Sequence, residues 1–278
     1  MSKVFFCPVK INLTLRVLEK RENGYHELRS VFWKKTGTEV LCVSEAADGR
    51  QSLNVDGAKI EGRNLLDSVL EFALHKISVP PLAMKLRKCY PQGSGIGAGS
   101  GNAAALLMWL KDEYGLNFTA EEAAELGADV AVLAQDNVLS FAEGIGEKLT
   151  PVNMEIKLPW LIVFPKWSSS TAAAYRSLDD SRRGFKMRDF SSEADEIITR
   201  LASGRRAGLL PNDFLCAAMA EHPEYTDIFK SADRNGALAW GMCGSGSAAF
   251  VIADGNILDI TEEELRSKEF VYATERLD

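Results

Sequence analysis

Residues Pro91 to Ala104 read PQGSGIGAGSGNAA, and the reading of this stretch decides the fold. Gly93, Gly95, Gly97, Gly99 and Gly101 occupy alternate positions, with Pro91, Gln92, Ser94, Ile96, Ala98 and Ser100 around them. The run passes without a break into the helix-forming segment Ala103 to Leu110. Glycines let a backbone turn tightly and approach a ligand closely, and the unpaired N–H groups that open a helix carry a partial positive charge. Together they suit a phosphate. A flexible linker or an ordinary tight turn has a similar composition, but apolar sequence flanks this stretch on both sides and a helix begins within it. No Gly-Lys-Ser or Gly-Lys-Thr follows, which excludes a P-loop, and the helical sequence after Ala104 has no place for the second strand and acidic residue of a Rossmann fingerprint.

Toward the N-terminus, Leu82 to Leu86 predicts a short strand entering the loop. Asn64 to Ile77 predicts a helix with Asn64 as its N-cap, closed by Pro80-Pro81. Ser52 to Val55, Glu39 to Ser44 and Leu28 to Trp33 read as strands, and Asn23-Gly24 is a turn signal that makes a hairpin with a first strand, Val4 to Val17. Lys10 and Asn12 lie inside that first strand. A lysine there snorkels to the surface by default; it gains a role if the strand borders the glycine loop. Tyr25 and His26 sit just past the turn, either as plain hairpin residues or as the flat ring and hydrogen-bonding edge that a nucleobase or sugar requires.

Toward the C-terminus, Thr119-Ala120-Glu121-Glu122 is a capping box, and the helix it opens runs to Leu126 before Gly127. Asp129 then stands where a cap for the next helix is the default reading. Ser140 to Glu147 reads as strand, tight turn and strand. The division into two domains is placed at residues 1–153 and 154–278. In the second part Trp160 to Phe164 reads as a buried strand, Ser168 to Thr171 caps a helix through Tyr175, and Ser181 to Arg188 is a polar, basic loop. Ser191 to Ala202 and Asp213 to Phe229 read as helices. Ala237 to Gly241 and Ala249 to Ala253 are strands around Cys243-Gly244-Ser245-Gly246-Ser247, a second glycine-serine turn that would complete an anion pocket if it faced the first. Thr261 to Lys268 reads as a helix and Phe270 to Ala273 as a last strand.

A chain of 278 residues with 46% hydrophobic content can bury one large core or two ordinary ones. Its 39 acidic and 32 basic residues give a net charge of −7, which argues against nucleic acid or a membrane surface as partner, and a small anionic ligand would need a local basic site. No apolar run is long enough to span a membrane and no secretory leader opens the chain, so the expected location is cytoplasmic. Five scattered cysteines without a CxxC pair and only three histidines predict reduced thiols and no histidine-rich metal centre.

Three signatures stand in order along the chain: Pro8-Val9-Lys10-Ile11-Asn12-Leu13, the glycine loop, and Gly244-Ser245-Gly246-Ser247. Together they resemble the small-molecule (GHMP) kinase superfamily of galactokinase, homoserine kinase and mevalonate kinase. Four further pieces resemble, within it, the kinases of diphosphocytidyl methylerythritol: Gly24 to Leu28 (GYHEL), Gly97 to Ala104 (GAGSGNAA), Leu126 to Val130 (LGADV) and Phe141 to Glu147 (FAEGIGE). The resemblance implies an α+β fold of two domains, an N-terminal mixed sheet and a C-terminal ferredoxin-like unit, with the active site in the cleft between them. It implies transfer of a phosphoryl group from ATP, with Mg2+, to the 2-hydroxyl of a cytidine diphosphate-linked methylerythritol. Lys10 and Asp129 are then the catalytic pair. Pro91 to Gly101 wrap the ATP phosphates, Asn64 lies near the adenine, and Ser100 helps hold the metal. Tyr25 and Tyr175 sandwich the cytosine, His26 reads its edge, and Asn12 holds the substrate. A monomer or weak homodimer is expected.

The chain departs from the family pattern at Val9 (usually Ala), Ala131 (usually Pro), Ala98 (usually Gly), Ala248 (usually Thr) and above all Gly101, where a second serine is usual. Loss of a metal-binding hydroxyl at Gly101 would leave Mg2+ to Ser100, water and ATP oxygens. Two alternatives therefore stand beside the first reading: a kinase of the same superfamily acting on another small alcohol, and a non-catalytic ATP-binding relative.

Overall fold

The computed structural model describes residues 2–22, 24–58, 62–181 and 192–278. Asn23 of the predicted turn and the segment around Arg182-Arg183 lie outside them. Two strands of unusual length organise the first half: β1 (Lys3–Lys20) and β2 (His26–Glu45), antiparallel along their whole course. The sequence reading divides β2 into two strands at Lys34-Lys35-Thr36-Gly37-Thr38, because that run is polar. It stays extended since Lys34 and Lys35 pair with Lys10 and Val9 of β1, and the Lys35 amine donates to the Leu158 carbonyl at 2.9 Å.

The length of β2 lets it take two partners on its other edge. Val40 to Glu45 pair with β4 (Leu82–Lys88), and Leu28 to Trp33 pair with β5 (Leu139–Gly144). β3 (Ser52–Gly57) joins β4 in parallel and β6 (Lys148–Pro151) joins β5, which completes a mixed sheet in the order β3-β4-β2-β5-β6 with β1 beside β2. One face of this sheet is covered by α1 (Leu65–Leu74), α2 (Ala98–Tyr114), α3 (Ala120–Leu126) and α4 (Ala128–Leu133). Leu66, Val69, Leu106, Leu110 and Val130 of the helices bury against Leu41, Val43, Leu82, Met84 and Leu86 of the strands.

The second half is a sheet in the order β11-β7-β10-β9-β8. Its strands are β7 (Trp160–Pro165), β8 (Gly208–Leu209), β9 (Ala239–Met242), β10 (Ala249–Ile252) and β11 (Val271–Leu277). With α5 (Thr171–Ser181) and α6 (Glu193–Ala202) after β7, and α9 (Gly255–Arg266) between β10 and β11, the four main strands have the antiparallel order and connections of a ferredoxin-like unit. Strand alternation divides its side chains. Trp160, Ile162 and Phe164 enter a cluster with Val9, Ile11, Leu13 and Trp33 of the first sheet, while Leu161 and Val163 meet α7 (Leu215–Glu221), α8 (Tyr225–Arg234) and α9 on the other face.

The helix expected over Asp213 to Phe229 is broken into α7 and α8, because Pro223 cannot continue a helix. The last helix begins six residues earlier than the spacing suggests, at Gly255, and the last strand continues to Leu277. Among the described residues no helix is long and apolar enough to cross a membrane.

Candidate active site

The glycine loop and β1 are joined by backbone: Lys10 N–H donates to the Ile96 carbonyl at 2.9 Å. Lys10 therefore borders the loop, and its side chain is buried instead of snorkelling out. Gly93, Gly95 and Gly97 all have φ between 73° and 79°, a left-handed conformation that other residues resist. A Cβ at Gly95 would lie 1.9 Å from the Cys243 carbonyl oxygen. That contact belongs to a ladder between the two glycine turns, in which Ser247 N–H donates to Gly93 O and Ala248 N–H to Ser94 O, each at 3.0 Å. The second turn thus faces the first, as a completed pocket requires.

Helix α2 starts at Ala98, inside the glycine run and five residues before the helix-forming segment Ala103 to Leu110. Gly101 N–H already bonds back to Gly97 O at 2.8 Å, so the amides of Ala98, Gly99 and Ser100 form the open first turn of a 17-residue helix. Gly101 is explained by packing: a Cβ there would fall 1.8 Å from the Pro8 carbonyl oxygen of β1. A serine at this position collides with the strand that carries Lys10.

The Lys10 amine donates to Asn12 Oδ1 at 3.0 Å, lies 3.5 Å from Asp129 Oδ2 and sits 5.2 Å from the centre of the Phe32 ring. Asp129 is in the first turn of α4, whose N-terminus is Gly127 and has no side-chain cap. The cap reading of Asp129 is therefore set aside; its carboxylate turns toward Lys10 and the cavity. Asn12 accepts from both Lys10 and Gly244 N–H (3.1 Å) and donates to Ser30 Oγ at 2.8 Å. Both Oδ1 lone pairs are thereby used and one Nδ2 hydrogen remains for a ligand.

These groups open into a cavity of about 1110 Å³ that is also lined by Ser100, Tyr25, His26, Tyr175 and Ser245. His26 Nε2 is 2.6 Å from Asp179 Oδ1, and Lys20 donates to the same carboxylate at 2.9 Å. The Tyr175 ring stacks on His26 with centroids 4.8 Å apart and has Phe214 edge-on at 4.9 Å, whereas Tyr25 lies at the lip, 61% exposed. Burial raises the Tyr175 phenol above its ordinary range, and the Asp129 charge adds to the effect. Burial likewise pushes the Cys243 thiol up to about 12, against the opposing charge of Lys10. Asn64 caps α1 by accepting from Leu66 N–H at 3.0 Å, its Nδ2 is buried with no partner, and it is not among the residues that line the cavity with Lys10 and Asp129.

Sequence reasoning missed two supports. Lys88 donates to Glu39 at 2.6 Å and to Asn102 at 3.0 Å, Asn102 donates to the same Glu39 oxygen at 2.8 Å, and the other Glu39 oxygen accepts from Cys89 and Tyr90 N–H. This buried network fixes the entry of the glycine loop against β2 and α2; Asn102, inside the loop motif, was the available signal. Asp179, the partner of His26, is 153 residues away in sequence and has no local pattern to mark it.

No cluster of three or more His, Cys, Asp or Glu side chains able to hold a metal occurs among the described residues. What the site offers is a carboxylate able to take or orient a hydroxyl proton, an ammonium beside it to stabilise negative charge, and backbone amides arranged for an anion.

Family models named "GHMP kinases N terminal domain" and "GHMP kinases C terminal" match residues 64–144 and 193–270. The 4-diphosphocytidyl-2-C-methyl-D-erythritol kinase of Porphyromonas gingivalis is 33% identical over 256 residues, covering 89% of this chain and 90% of its own. That of Ruegeria pomeroyi is 34% identical over 250 residues, covering 88% and 86%. A solved 4-(cytidine 5'-diphospho)-2C-methyl-D-erythritol kinase superposes with a TM-score of 0.81 at 27% identity, over 100% of this chain and 98% of that one. The mevalonate kinase of L. major, at 16% identity and a TM-score of 0.68 over 100% and 95%, shares the fold. From sequence, domain models and architecture together, the chain belongs to the GHMP kinases and, within them, to the 4-diphosphocytidyl-2-C-methyl-D-erythritol kinase family.

Proposed function

We propose that this enzyme transfers the γ-phosphoryl group of ATP to the 2-hydroxyl of 4-diphosphocytidyl-2-C-methyl-D-erythritol. The observation that carries the reading is the Lys10 amine 3.5 Å from Asp129, at the junction of the glycine loop and a cavity that runs on to Tyr25, His26 and Tyr175. Asp129 takes or orients the hydroxyl proton, while Lys10 holds that carboxylate in place and offsets charge on the transferring oxygens. Phosphoryl transfer is chiefly positioning and charge stabilisation, so two charged groups and a rigid loop suffice.

The loop from Pro91 to Gly101 suits the nucleotide phosphates: its glycines leave no side chain in the turn and α2 points its first amides there. The unspent Asn64 donor suits the adenine side. Mg2+ would neutralise phosphate charge when bound; with no acidic cluster among the described residues to cage it, Ser100 and Asp129, which line the same cavity, are the residues that would hold it alongside nucleotide oxygens and water. The single remaining Asn12 donor faces the substrate, and His26 with Tyr25 and Tyr175 takes the cytosine. Division at residues 153 and 154 gives each proposed domain one sheet, with ATP held by the first and the cleft closed by the second. The protein acts without nucleic acid or membrane, in the cytoplasm, as a monomer or weak homodimer.

Purified protein given this substrate, ATP and Mg2+ is expected to release ADP in step with phosphorylated product. No ADP above background, with an active family member turning over alongside, would refute the proposal.

A further inference from the structure

We propose that Arg176 binds the diphosphate bridge of the substrate. The inference rests on the reading just given, in which the acceptor hydroxyl lies at Lys10 and Asp129 and the base lies at Tyr25, His26 and Tyr175. The bridge joins those two ends and must cross the cavity between them.

The charge of that cavity makes the crossing a problem. Among the described residues, five carboxylates line it against three cations, Lys10, Lys20 and Arg176, a formal balance of −2. A dianionic bridge entering such a space needs a cation that is not already neutralised. Lys10 is committed to Asn12 and Asp129, and Lys20 donates to Asp179 at 2.9 Å. Arg176, which lines the cavity, makes no ion pair or hydrogen bond among the described residues. It stands on α5 directly after Tyr175 and three residues before Asp179, the two α5 groups that engage His26. The arginine is therefore carried by the element that builds the base end of the cavity, with its guanidinium available. A guanidinium presents paired N–H donors that match two phosphate oxygens, and it keeps its charge at any working pH. Thr171 and Ser245, hydrogen-bonded to each other at 3.0 Å, line the same wall and supply polar contacts without charge.

Calorimetric titration of the full chain with two probes, cytidine and cytidine 5'-diphosphate, separates base from bridge. Arg176→Ala is expected to weaken the diphosphate by about tenfold, the scale of one solvent-accessible charged hydrogen-bonding contact, and to leave cytidine affinity within about twofold. Arg176→Lys, which keeps the charge and the helix propensity, is expected to recover part of the loss, and added salt should weaken diphosphate binding more steeply in the parent than in Arg176→Ala. Equal diphosphate affinity in the parent and Arg176→Ala would overturn the assignment while leaving the kinase reading in place. Equal weakening of both probes would also overturn it, by showing that the residue acts through the base pocket. Failure of the parent to bind either probe would overturn the inference together with the reading beneath it.

Discussion

Lys10 shows how one residue's role depends on its neighbours. In an isolated strand its amine would reach for water; here the backbone bond to Ile96 seats it under the glycine loop, and Asn12, Phe32 and Asp129 surround it. Asp179 performs the matching service at the other end of the cavity, holding Lys20 and His26 from the hairpin. Burial alone would raise its pKa, but the hydrogen bonds from Lys20 and His26 outweigh that and hold it below its ordinary 3.8. A carboxylate depressed in the folded state contributes stability above its unfolded pKa and loses it as pH falls through the folded one. Asp179→Asn is accordingly expected to lower stability by about 1 kcal/mol or less at neutral pH, since the group is partly exposed. The gap between parent and variant in denaturant titrations should be present at pH 5, on the order of one unit above that pKa, and should close in acid. A gap that widened in acid would contradict the assignment. The same substitution frees the His26 ring, so cytidine affinity should fall with it.

At the scale of elements, the loop, its helix and the strand beside it form one unit. β1 approaches α2 so closely that Gly101 has no room for a side chain, and the loop entry is fixed by the buried Glu39, Lys88 and Asn102 network. Removing one partner from a buried charged pair typically costs about 3–5 kcal/mol, so this network holds the loop's position firmly. Gly101→Ser, which brings the chain nearer the usual family pattern, is expected to reduce stability by about 3 kcal/mol or more and to lower turnover, because the strand carrying Lys10 must shift. Thermal unfolding and an ADP-release assay on the same preparation check this; a variant as stable as the parent, with tighter Mg2+ dependence, would show that the missing hydroxyl and not the packing governs this position. These elements also mark what the sequence made legible. The glycine loop, the capping box at Thr119, confirmed by both its hydrogen bonds, and the order of the three signatures are local patterns whose physics is written within a few residues. The unity of β2, the pairing of Glu39 with Lys88 and the reach of Asp179 to His26 are settled by chain packing over 49 to 153 positions, and no window of sequence contains them.

Across the whole molecule, two sheets share a core through Ile11, Leu13, Trp33, Trp160 and Ile162, and the halves are tied at the cavity rim. Arg16 of β1 donates to Glu193 at 2.9 Å and to Asp213 at 2.7 Å, both from the second half, and the Lys20 and His26 contacts to Asp179 cross the same boundary. The interlocked glycine turns add backbone bonds between the halves beside Lys10. Under the proposed function, a phosphate donor on the loop and an alcohol beside Asp129 meet over one pair of charges, Lys10 and Asp129. That convergence is the central claim, and it is tested most directly by single-turnover phosphorylation in Asp129→Asn with ATP affinity measured on the same sample. The account predicts a rate lower by about a thousandfold, the scale of general acid–base and charge stabilisation combined, with ATP binding within a few-fold of the parent. A rate within tenfold of the parent would contradict it.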